Sequence, residues 1–338
     1  IIHSPRPVFS LGDAARIARA RFGIGGDVAE LPGERDLNFR IDSAGASYVL
    51  KIAHAGESRE NLELQHAALT HLARRETGLT LQNAVPALDG GTLVEVEAPA
   101  GGPPGRHWVR LLTYLPGRLW SEVSARRLPR APLLEILGAT LGAIDRGFAD
   151  FRLPAVRRDL KWDLRRAGWI RDYLHHLEAG SRRELVERWL ADFDQRVRPA
   201  LDRLRQSVIF NDANDNNIVV GGERFAPLVA GVIDFGDLCR TNVVCEPAIA
   251  AAYAAMGLAD PVAGIGRLVA GYHAAWPLEE AELEVLHALV CMRLCVSVTN
   301  SAFQKTVEPG NSYLAISEQR AWDLLEELSA VHPRRALY

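Results

Sequence analysis

Carboxylate and amide side chains crowd residues 208–237 of the sequence. This stretch reads VIFNDANDNNIVV, then a turn at GGERF, then LVAGVIDFGD. Its two apolar runs have the character of strands, so together they predict a hairpin. If Asn217 leads into the first strand and Asp234 ends the second, then Asp212, Asn217 and Asp234 lie close together.

These side chains suit a magnesium site with a base beside it. Magnesium prefers hard oxygen ligands, usually one or two carboxylates completed by phosphate oxygens and water. The amide oxygen of Asn217 and the carboxylate of Asp234 meet that need. The carboxylate of Asp212 is then left to accept a proton from an attacking hydroxyl group.

A plain polar turn is the alternative interpretation of the run from Asp212 to Asn217. Asn and Asp dominate turns for conformational reasons alone. The IDFGD segment, however, ends an apolar strand, and its Asp234 lies 22 residues after Asp212. The two segments in this order favour the magnesium site over the turn.

Residues before Pro116-Gly117 are expected to form a small antiparallel sheet with one or two helices. Ser10 is typical of a helix N-cap and Gly23 of a helix end. Alternating apolar residues then predict strands, and helical spacing predicts one further helix. The predicted strands are Asn38 to Ile41, Ser47 to Ile52, Thr92 to Val96 and Trp108 to Leu115, and the second helix is Glu57 to Arg74.

The rest of the chain is predicted to be helical apart from the polar stretch 208–237. A length of 338 residues favours two lobes, which we place at residues 1–115 and 116–338. A cleft between two lobes is where small-molecule sites usually form. The predicted helices are Ala131 to Phe151, Trp162 to Leu177, Arg183 to Leu204, Pro247 to Met256, Ile265 to Ala275, Glu279 to Ser301 and Ser317 to Leu328.

Two motifs resemble those of the aminoglycoside phosphotransferase and choline kinase family. The family's catalytic loop reads H-G-D-x-x-x-x-N, which is matched here by residues 210–212 (FND) and then by Asn217. Its metal-binding segment, a hydrophobic residue followed by D-F/W/Y-G/E-D, is matched by residues 233–237 (IDFGD). Within the family, NDANDNNI, GERDLNFRI and YVLKI are most similar to the hydroxylysine kinase branch.

The resemblance runs from about Glu34 to Ser301 and implies an α+β fold like that of protein kinases. Such a fold is bilobal, with a small antiparallel β-rich N-lobe and a larger, mainly helical C-lobe. By resemblance, Asp212 is the catalytic base, Asn217 and Asp234 hold Mg²⁺ on the phosphates of ATP, and Lys51 pairs with the α- and β-phosphates. The other implied residues are Asp36 and Asn38 in a phosphate-covering turn (Glu34 to Asn38), Thr113, Tyr114 and Leu115 at an adenine-binding hinge, and Asp163, Asn214, Asp237 and Glu246 on the substrate side.

The sequence departs from the family pattern at the loop and in the predicted second helix. Phe210 stands where the family has His, and Asn211 where it has Gly. Gln65 stands where a helix glutamate should pair with Lys51, and it offers a hydrogen bond but no charge. Glu246 also fits a helix N-terminus, where a carboxylate is favourable. Arg293 and Asn300 interrupt an apolar helix, either as satisfied core polar groups or as groups lining the cleft.

Charge and composition narrow the class of partner. Lys+Arg 39 against Asp+Glu 42 gives a net charge of -3, so we expect no electrostatic binding to nucleic acid or to an anionic membrane. The longest apolar run, Ala248 to Ala259, is too short to span a bilayer, and no signal peptide is visible. We therefore expect a cytoplasmic protein. The missing initiator Met is interpreted as processing, or as excision from a longer chain.

The leading hypothesis is an ATP- and Mg²⁺-dependent kinase that phosphorylates a hydroxyl group of a small molecule. The resemblance implies an amino alcohol or a hydroxy amino acid, such as hydroxylysine, choline, ethanolamine, homoserine or an aminoglycoside, and the carboxylates near the cleft favour a cationic substrate. The alternative is a kinase-like nucleotide- or metabolite-binding domain of a larger enzyme with weak or no catalysis. Phe210 and Gln65 motivate that alternative.

Overall fold

The computed structural model of the chain describes residues 6–33, 35–75, 77–99, 104–123, 128, 130–307 and 313–332, without the side chains of 313–317. The chain divides into two compact units, Ile1–Pro116 and Gly117–Tyr338.

The first unit begins with helix α1 (Leu11–Phe22), as the sequence predicts. Ser10 and Asp13 form a capping box, in which each side chain accepts a hydrogen bond from the other residue's backbone N–H. Gly23 ends the helix at a φ of 70°, a left-handed conformation that glycine adopts at little cost. Ala14, Ile17 and Phe22 form the buried face of the helix.

An antiparallel sheet makes up most of the rest of this unit. Its strand order is β1-β2-β3-β6-β4, and β5 also pairs with β6. The predicted hairpin is confirmed as β2 and β3, whereas β1 and β4 lie outside the predicted strands. Helix α2 (Arg59–Ala73) follows the hairpin. The strands are β1 (Asp27–Leu31), β2 (Leu37–Ser43), β3 (Ala46–Ile52), β4 (Ala84–Val85), β5 (Val94–Glu97) and β6 (Arg106–Thr113).

The two faces of this sheet differ in polarity. Phe39, Leu50 and Leu111 are fully buried and belong to the cluster that packs against α1. Because successive side chains of a strand point to opposite faces, their neighbours Asn38, Lys51 and Arg110 lie on the other face. Lys51 is opposite Asn38 on one side and Arg110 on the other.

The second unit is mainly helical, as predicted, but two of its short strands, Arg118–Leu119 and Cys239–Asn242, lie outside the polar stretch 208–237. None of its described helices is long and apolar enough to cross a membrane. Two of the predicted helices are not regular α-helices. Residues 164–176 form a 3₁₀ segment, and the predicted helix 183–204 contains a π-helical turn at Phe193–Val197. The elements are β7 (Arg118–Leu119), α3 (Arg130–Gly147), α4 (Ser181–Asp192), α5 (Arg198–Leu201), β8 (Gln206–Ile209), β9 (Ile218–Glu223), β10 (Ala226–Val232), β11 (Cys239–Asn242), α6 (Cys245–Ala254), α7 (Pro261–Ala275), α8 (Glu280–Val307) and α9 (Tyr313–Ser329).

Strands β9 and β10 form the predicted hairpin, and β8 pairs with β11 beside it. The main apolar core of this unit lies among α6, α8 and the segments that pack on them. Helices α3 and α7 cross at glycines, since a Cβ atom at Gly138 or Gly271 would overlap a backbone carbonyl oxygen of the other helix. The loop between β8 and β9 and the end of β10 carry the candidate site.

Candidate functional site

The loop from Phe210 to Asn217 connects β8 to β9 and has an unusual backbone. Asn211 and Asp234 both have a φ of 66° and are the non-glycine residues with positive φ in the described chain. That conformation costs about 1 kcal/mol or more and persists only where surrounding contacts enforce it. It turns the chain sharply just before Asp212 and directly after β10.

Asp212 is held by amides from its own loop. Its Oδ1 accepts a hydrogen bond from Asn214 Nδ2 at 3.0 Å, and its Oδ2 accepts one from Asn217 Nδ2 at 2.5 Å. Asn217 Nδ2 also donates to the Asp212 carbonyl at 3.1 Å. The carboxylate is therefore fixed in orientation, while its side chain remains 21% exposed.

Asn217 and Asp234 lie at the same end of the β9–β10 hairpin. Ile218 pairs with Val232, and the next step of the ladder is a hydrogen bond from the Ile233 N–H to the Asn217 carbonyl at 2.9 Å. Because the Asn217 NH₂ group donates to Asp212, its amide oxygen is the atom left to bind a cation. Asp234 Oδ1 accepts a hydrogen bond from the Gly236 N–H at 3.2 Å.

This donor set fits Mg²⁺ in a phosphate complex. One amide oxygen and one carboxylate are hard oxygen ligands, and Mg²⁺ usually takes only one or two carboxylates when substrate phosphates complete its shell. In the described residues, no group of three or more His, Cys, Asp or Glu side chains could hold a metal ion. Asn217 and Asp234 would hold Mg²⁺ only together with phosphate oxygens.

Negative charge is concentrated around Asp212. Burial raises the pKa of the Asp212 carboxyl well above its usual value, and the carboxylates of Asp237 and Asp234 raise it further. The guanidinium of Arg293 and the hydrogen bond from Asn214 oppose this rise. The carboxyl group is thereby a stronger proton acceptor than an exposed aspartate.

Two buried carboxyl groups hold the backbone ahead of Asp212. The Phe210 N–H donates to Asp145 Oδ1 at 3.3 Å, and the Asn211 N–H donates to Glu246 Oε2 at 2.6 Å. Tyr272 donates its hydroxyl proton to Asp145 Oδ2 at 2.7 Å. Burial raises the pKa of Glu246 to about 7. Glu246, expected on the substrate side, thus contacts the loop backbone in this structure.

Phe210 takes the family histidine position and is entirely buried. Its ring meets that of Phe235 edge to face, with centroids 4.9 Å apart. Asn211 Nδ2 donates to the Asp237 carbonyl at 3.1 Å. The loop and the IDFGD segment are therefore joined by an aromatic contact and a hydrogen bond.

Arg293 is a part of the site whose role the sequence left open. Its side chain is 2% exposed, and its Nη2 lies 3.9 Å from Asp212 Oδ1. Nη1 donates to the Trp162 carbonyl, and the guanidinium lies 4.9 Å from the Trp162 ring centroid. Its Nε has no hydrogen-bond partner in the described residues. In the sequence, the feature that pointed to Arg293 was a charged residue inside an apolar helix.

The remaining substrate-side candidates have contacts within the second unit. Asp163 is buried, accepts a hydrogen bond from the Thr241 hydroxyl at 2.6 Å and caps the 3₁₀ segment through the Arg165 N–H. Asn214 contacts Asp212 as described above. A direct contact of Asp163, Asn214 or Asp237 with substrate stays a prediction.

Lys51 lies on the polar face of the first unit's sheet and is 8% exposed. Gln65 on α2, predicted to orient Lys51, accepts a hydrogen bond from Arg110 Nη2 at 2.7 Å. Asp36 accepts a hydrogen bond from the His54 N–H, and Asn38 donates to the Pro32 carbonyl. Glu34, at the start of the predicted phosphate-covering turn, lies outside the described residues.

The predicted hinge segment already uses several backbone groups within the first unit. The Thr113 N–H donates to the Asn83 carbonyl, and the Thr113 carbonyl accepts from Gln82 Nε2 at 3.1 Å. The Tyr114 N–H donates to the Ser47 carbonyl. An adenine contact through this segment would therefore use the Tyr114 carbonyl or Leu115.

Comparison with known proteins connects this geometry to a family. The sequence profile described as phosphotransferase enzyme family (APH) matches residues 27–283, which is most of the chain. The chain belongs to this family. It is a small-molecule kinase with the family's α+β, protein-kinase-like fold, so the predicted family and fold class are confirmed.

Individual relatives agree with this assignment. Hydroxylysine kinase of Mus musculus is 29% identical over 346 residues, covering 96% of this chain and 90% of the relative. Among solved structures, an amicoumacin kinase in complex with AMP-PNP and Ca²⁺ has a TM-score of 0.71 at 14% identity, and the match covers 97% of each chain. A microcompartment-associated aminopropanol kinase has a TM-score of 0.65 at 17% identity, covering 94% of this chain and 97% of the other.

Proposed function

We propose that this kinase transfers the γ-phosphoryl group of ATP, bound with Mg²⁺, to a hydroxyl group of a small molecule that also carries an amine. The acceptor is an amino alcohol or a hydroxy amino acid. The observation that carries the proposal is the fixed Asp212 carboxylate, held by Asn214 and Asn217 with Asp234 at the adjacent strand end.

Asp212 orients the acceptor hydroxyl and accepts its proton as the oxygen attacks the γ-phosphorus. A new P–O bond forms to the acceptor, the bond from the γ-phosphorus to the bridging oxygen breaks, and ADP leaves with that oxygen. The raised pKa of Asp212 favours the proton transfer, because a general base works best when its pKa lies near the pH of the solution.

Charge on the phosphates is neutralised by two groups. Asn217 and Asp234 would hold Mg²⁺, which would supply electrostatic stabilisation of the phosphate oxygens. Lys51 contributes a second positive charge, as a strand lysine does in kinases generally. Asp237 is the carboxylate proposed to meet the acceptor amine, since Glu246 is occupied by the Asn211 N–H.

The relatives support the acceptor class and the donor. The names hydroxylysine kinase and aminopropanol kinase both describe acceptors that carry an amine and a hydroxyl group. The amicoumacin kinase was solved with a nonhydrolysable ATP analogue and a divalent cation. We extend these properties to this chain as part of the proposal.

A magnesium-dependent ATP-consumption screen tests the proposal over amino alcohols, hydroxy amino acids and aminoglycosides. The informative variant is Asp212→Asn, and Asp215→Asn is its matched control, because Asp215 lies in the same loop and interacts with Arg130 and Arg320 rather than with Asn217. We expect at least one acceptor whose turnover Asp212→Asn lowers by about 10²- to 10⁴-fold, with Asp215→Asn close to wild type. Nucleotide binding without turnover of any acceptor would contradict the proposal and favour a binding domain.

A further inference from the structure

Arg293 is a buried cation in an apolar part of helix α8. Its neighbours along the helix, residues 290–292 and 294–296, are apolar side chains that are all buried. Taking a guanidinium out of water is costly, and replacing a buried ion pair by apolar residues is often neutral or even stabilising. Stability of the core therefore does not explain an arginine at this position, and a role in the site explains it better.

Two aromatic rings hold the guanidinium of Arg293. It lies 4.9 Å from the Trp162 ring centroid and 5.3 Å from that of Tyr253, and both distances are within the range of a cation–π interaction. Nη1 donates to the Trp162 carbonyl at 3.2 Å, and the Tyr253 hydroxyl contacts Ser297 Oγ at 3.1 Å. The planar group is thereby fixed in one orientation, which a lysine ammonium would not be.

The fixed guanidinium faces the catalytic carboxylate. Nη2 of Arg293 lies 3.9 Å from Asp212 Oδ1, which is within ion-pair distance but too long for a hydrogen bond. Attraction at this distance restrains the carboxylate without occupying a lone pair that must accept the proton of the acceptor hydroxyl. Because the Arg293 side chain is only 2% exposed, it acts on the reaction through Asp212 and not by binding substrate.

We propose that Arg293 is a positioning residue for Asp212, which holds the carboxylate in place relative to helix α8 and thereby sets the rate of phosphoryl transfer. This inference rests on the proposed function. Asn214 and Asn217 hold the carboxylate from its own loop, whereas Arg293 belongs to a 28-residue helix of the core. A group held by a regular element is placed more precisely than one held by a loop alone.

The charge of Arg293 also reaches the carboxyl group that supports the residue before Asp212. Glu246 accepts the hydrogen bond from the Asn211 N–H. Burial has the largest effect on the pKa of Asp212 and of Glu246 and raises both, and the guanidinium of Arg293 opposes each rise. The same buried cation thus balances the carboxylate that meets the acceptor and the one that holds the loop backbone.

Arg205 provides a matched control in the same unit. It pairs with the buried Glu282 at 2.8 Å and donates to the Pro277 carbonyl. Its guanidinium lies 5.1 Å from the Trp276 ring centroid. These are the same three kinds of contact that Arg293 makes, to a carboxylate, a carbonyl and an aromatic ring. Arg205→Met therefore removes an equivalent set of contacts without removing a partner of the catalytic carboxylate.

Steady-state kinetics of these variants, with an acceptor that wild type phosphorylates, tests the proposal. A catalytic group misplaced by about 1 Å can cost about 100-fold in rate. We expect Arg293→Met to lower kcat by about 100-fold while KM for ATP and for the acceptor changes by less than about 3-fold. Arg293→Lys, which retains the charge, should lower kcat by only about 10-fold. Arg205→Met should lower the urea midpoint of unfolding but keep kcat within about 3-fold of wild type.

A double-mutant cycle with Asp212→Asn shows whether Arg293 acts through the carboxylate. Effects of residues that act through one another do not add. In the Asp212→Asn background, Arg293→Met should therefore lower the residual turnover by less than about 3-fold. If Arg293→Met does not fold, Arg293→Lys takes its place, with a loss of about 10-fold expected in the wild-type background and none in the Asp212→Asn background.

Several results would overturn the positioning role and leave the kinase proposal intact. They are a loss confined to KM, an equal loss of kcat in Arg205→Met, an Arg293→Lys variant no faster than Arg293→Met, and an equal loss in both backgrounds of the cycle. If wild type phosphorylates no acceptor, the proposed function fails. The orientation of Asp212 then decides on the positioning role.

That orientation is measured on the side-chain amide of Asn214, which donates to Asp212 Oδ1 at 3.0 Å. In ¹⁵N-labelled protein its signal is identified by its loss in Asn214→Ser. Arg293→Met, or Arg293→Lys if the first variant does not fold, should shift this signal, and Arg205→Met should leave it unchanged. An Asn214 signal that does not respond to substitution of Arg293 would overturn the positioning role independently of turnover.

Discussion

At the scale of single residues, contacts within the loop set the position of Asp212. Phe210 precedes Asn211 and Asp212, is entirely buried and packs edge to face on Phe235. The Phe210 ring holds this part of the loop in place by packing, whereas a polar residue at the same position would hold it by hydrogen bonds. The departure from the family histidine is therefore compatible with an ordered loop.

Truncation of Phe210 should be costly because a buried ring leaves a cavity. For Phe210→Ala we expect the free energy of unfolding in urea to fall by about 3–5 kcal/mol and kcat to fall with it. Phe225→Ala is the control, since Phe225 is 95% exposed, and it should change stability by less than about 0.5 kcal/mol. Similar losses in both variants would show that Phe210 has no special packing role.

His66 should make stability depend on pH. Burial first, and then Arg110, lower its pKa from 6.5 to about 4, so the folded protein favours the neutral ring. The neutral His66 ring contributes fully to the free energy of unfolding above about pH 6.5. This contribution is lost as the pH falls toward 4, and the loss amounts to about 3 kcal/mol. Unfolding free energies of wild type and His66→Gln, measured from pH 7 to pH 4, should converge over that window. Parallel curves would contradict the assignment.

Residue types were enough to propose the loop and metal candidates, which stay predictions, but they did not indicate the contacts that these residues make. The letters of residues 210–217 and 233–237 carry the candidate base and cation ligands by themselves. The contact between Gln65 and Arg110 could not be predicted, because it depends on which residue of β6 faces Lys51. Arg293 was visible as a charge in an apolar helix, but its neighbour Asp212 lies far away in sequence.

At the scale of elements, the crossing of α3 and α7 supports the site. α3 carries Asp145, α7 carries Tyr272, and their 2.7 Å hydrogen bond supports the Phe210 N–H. Close approach depends on glycine, since a Cβ atom at Gly271 would overlap the Glu135 carbonyl oxygen. Glycine is needed there for space and not for its backbone freedom.

Two alanine substitutions on α7 should therefore have opposite signs. Gly271→Ala should destabilise the protein by about 1–3 kcal/mol through overpacking and lower kcat by displacing Tyr272. Gly266→Ala meets no atom within 4 Å and should stabilise the helix by about 0.5–1 kcal/mol. Urea unfolding and kcat of the two variants check this, and equal effects on stability would rule out the close crossing.

Helix boundaries also show where periodicity fails. Apolar spacing predicted one helix from Arg183 to Leu204, but the structure has a π-helical turn at Phe193–Val197. Pro199 explains the break, because proline has no N–H and its ring crowds the carbonyl four residues earlier. The backbone stays helical through Pro199 in α5, but it widens to a π-turn in the residues just before it, which apolar spacing does not reveal.

At the scale of the whole molecule, the net charge of -3 conceals local segregation. Carboxylates concentrate at the loop of the second unit, and Lys51 lies on the sheet of the first. The family profile spans residues 27–283 and so includes both units. Composition suggested a small-molecule partner, and these local groups of carboxylates and lysine are the side chains that could bind one.

Binding of nucleotide should stabilise the whole chain only when a divalent cation is present. At about 100 times its Kd, a ligand adds roughly 2.7 kcal/mol, which corresponds to about 4 °C in Tm for a chain of this size. We expect AMP-PNP with Mg²⁺ to raise Tm by that amount, and EDTA or Asp234→Asn to remove most of the rise. Asp215→Asn should retain it. A shift unaffected by EDTA would contradict the metal assignment.

The central claim is that Asp212 directs the γ-phosphoryl group of ATP onto an acceptor hydroxyl, and analysis of the product tests it most directly. Hydroxylysine, ATP and Mg²⁺ are incubated with wild type or Asp212→Asn, and the product is examined by mass spectrometry and ³¹P NMR. We predict a phosphomonoester at the hydroxyl oxygen, formed in equal amount with ADP, and a rate at least about 100-fold lower for Asp212→Asn. Formation of ADP without phosphohydroxylysine, or the same product at the same rate in both proteins, would contradict the claim.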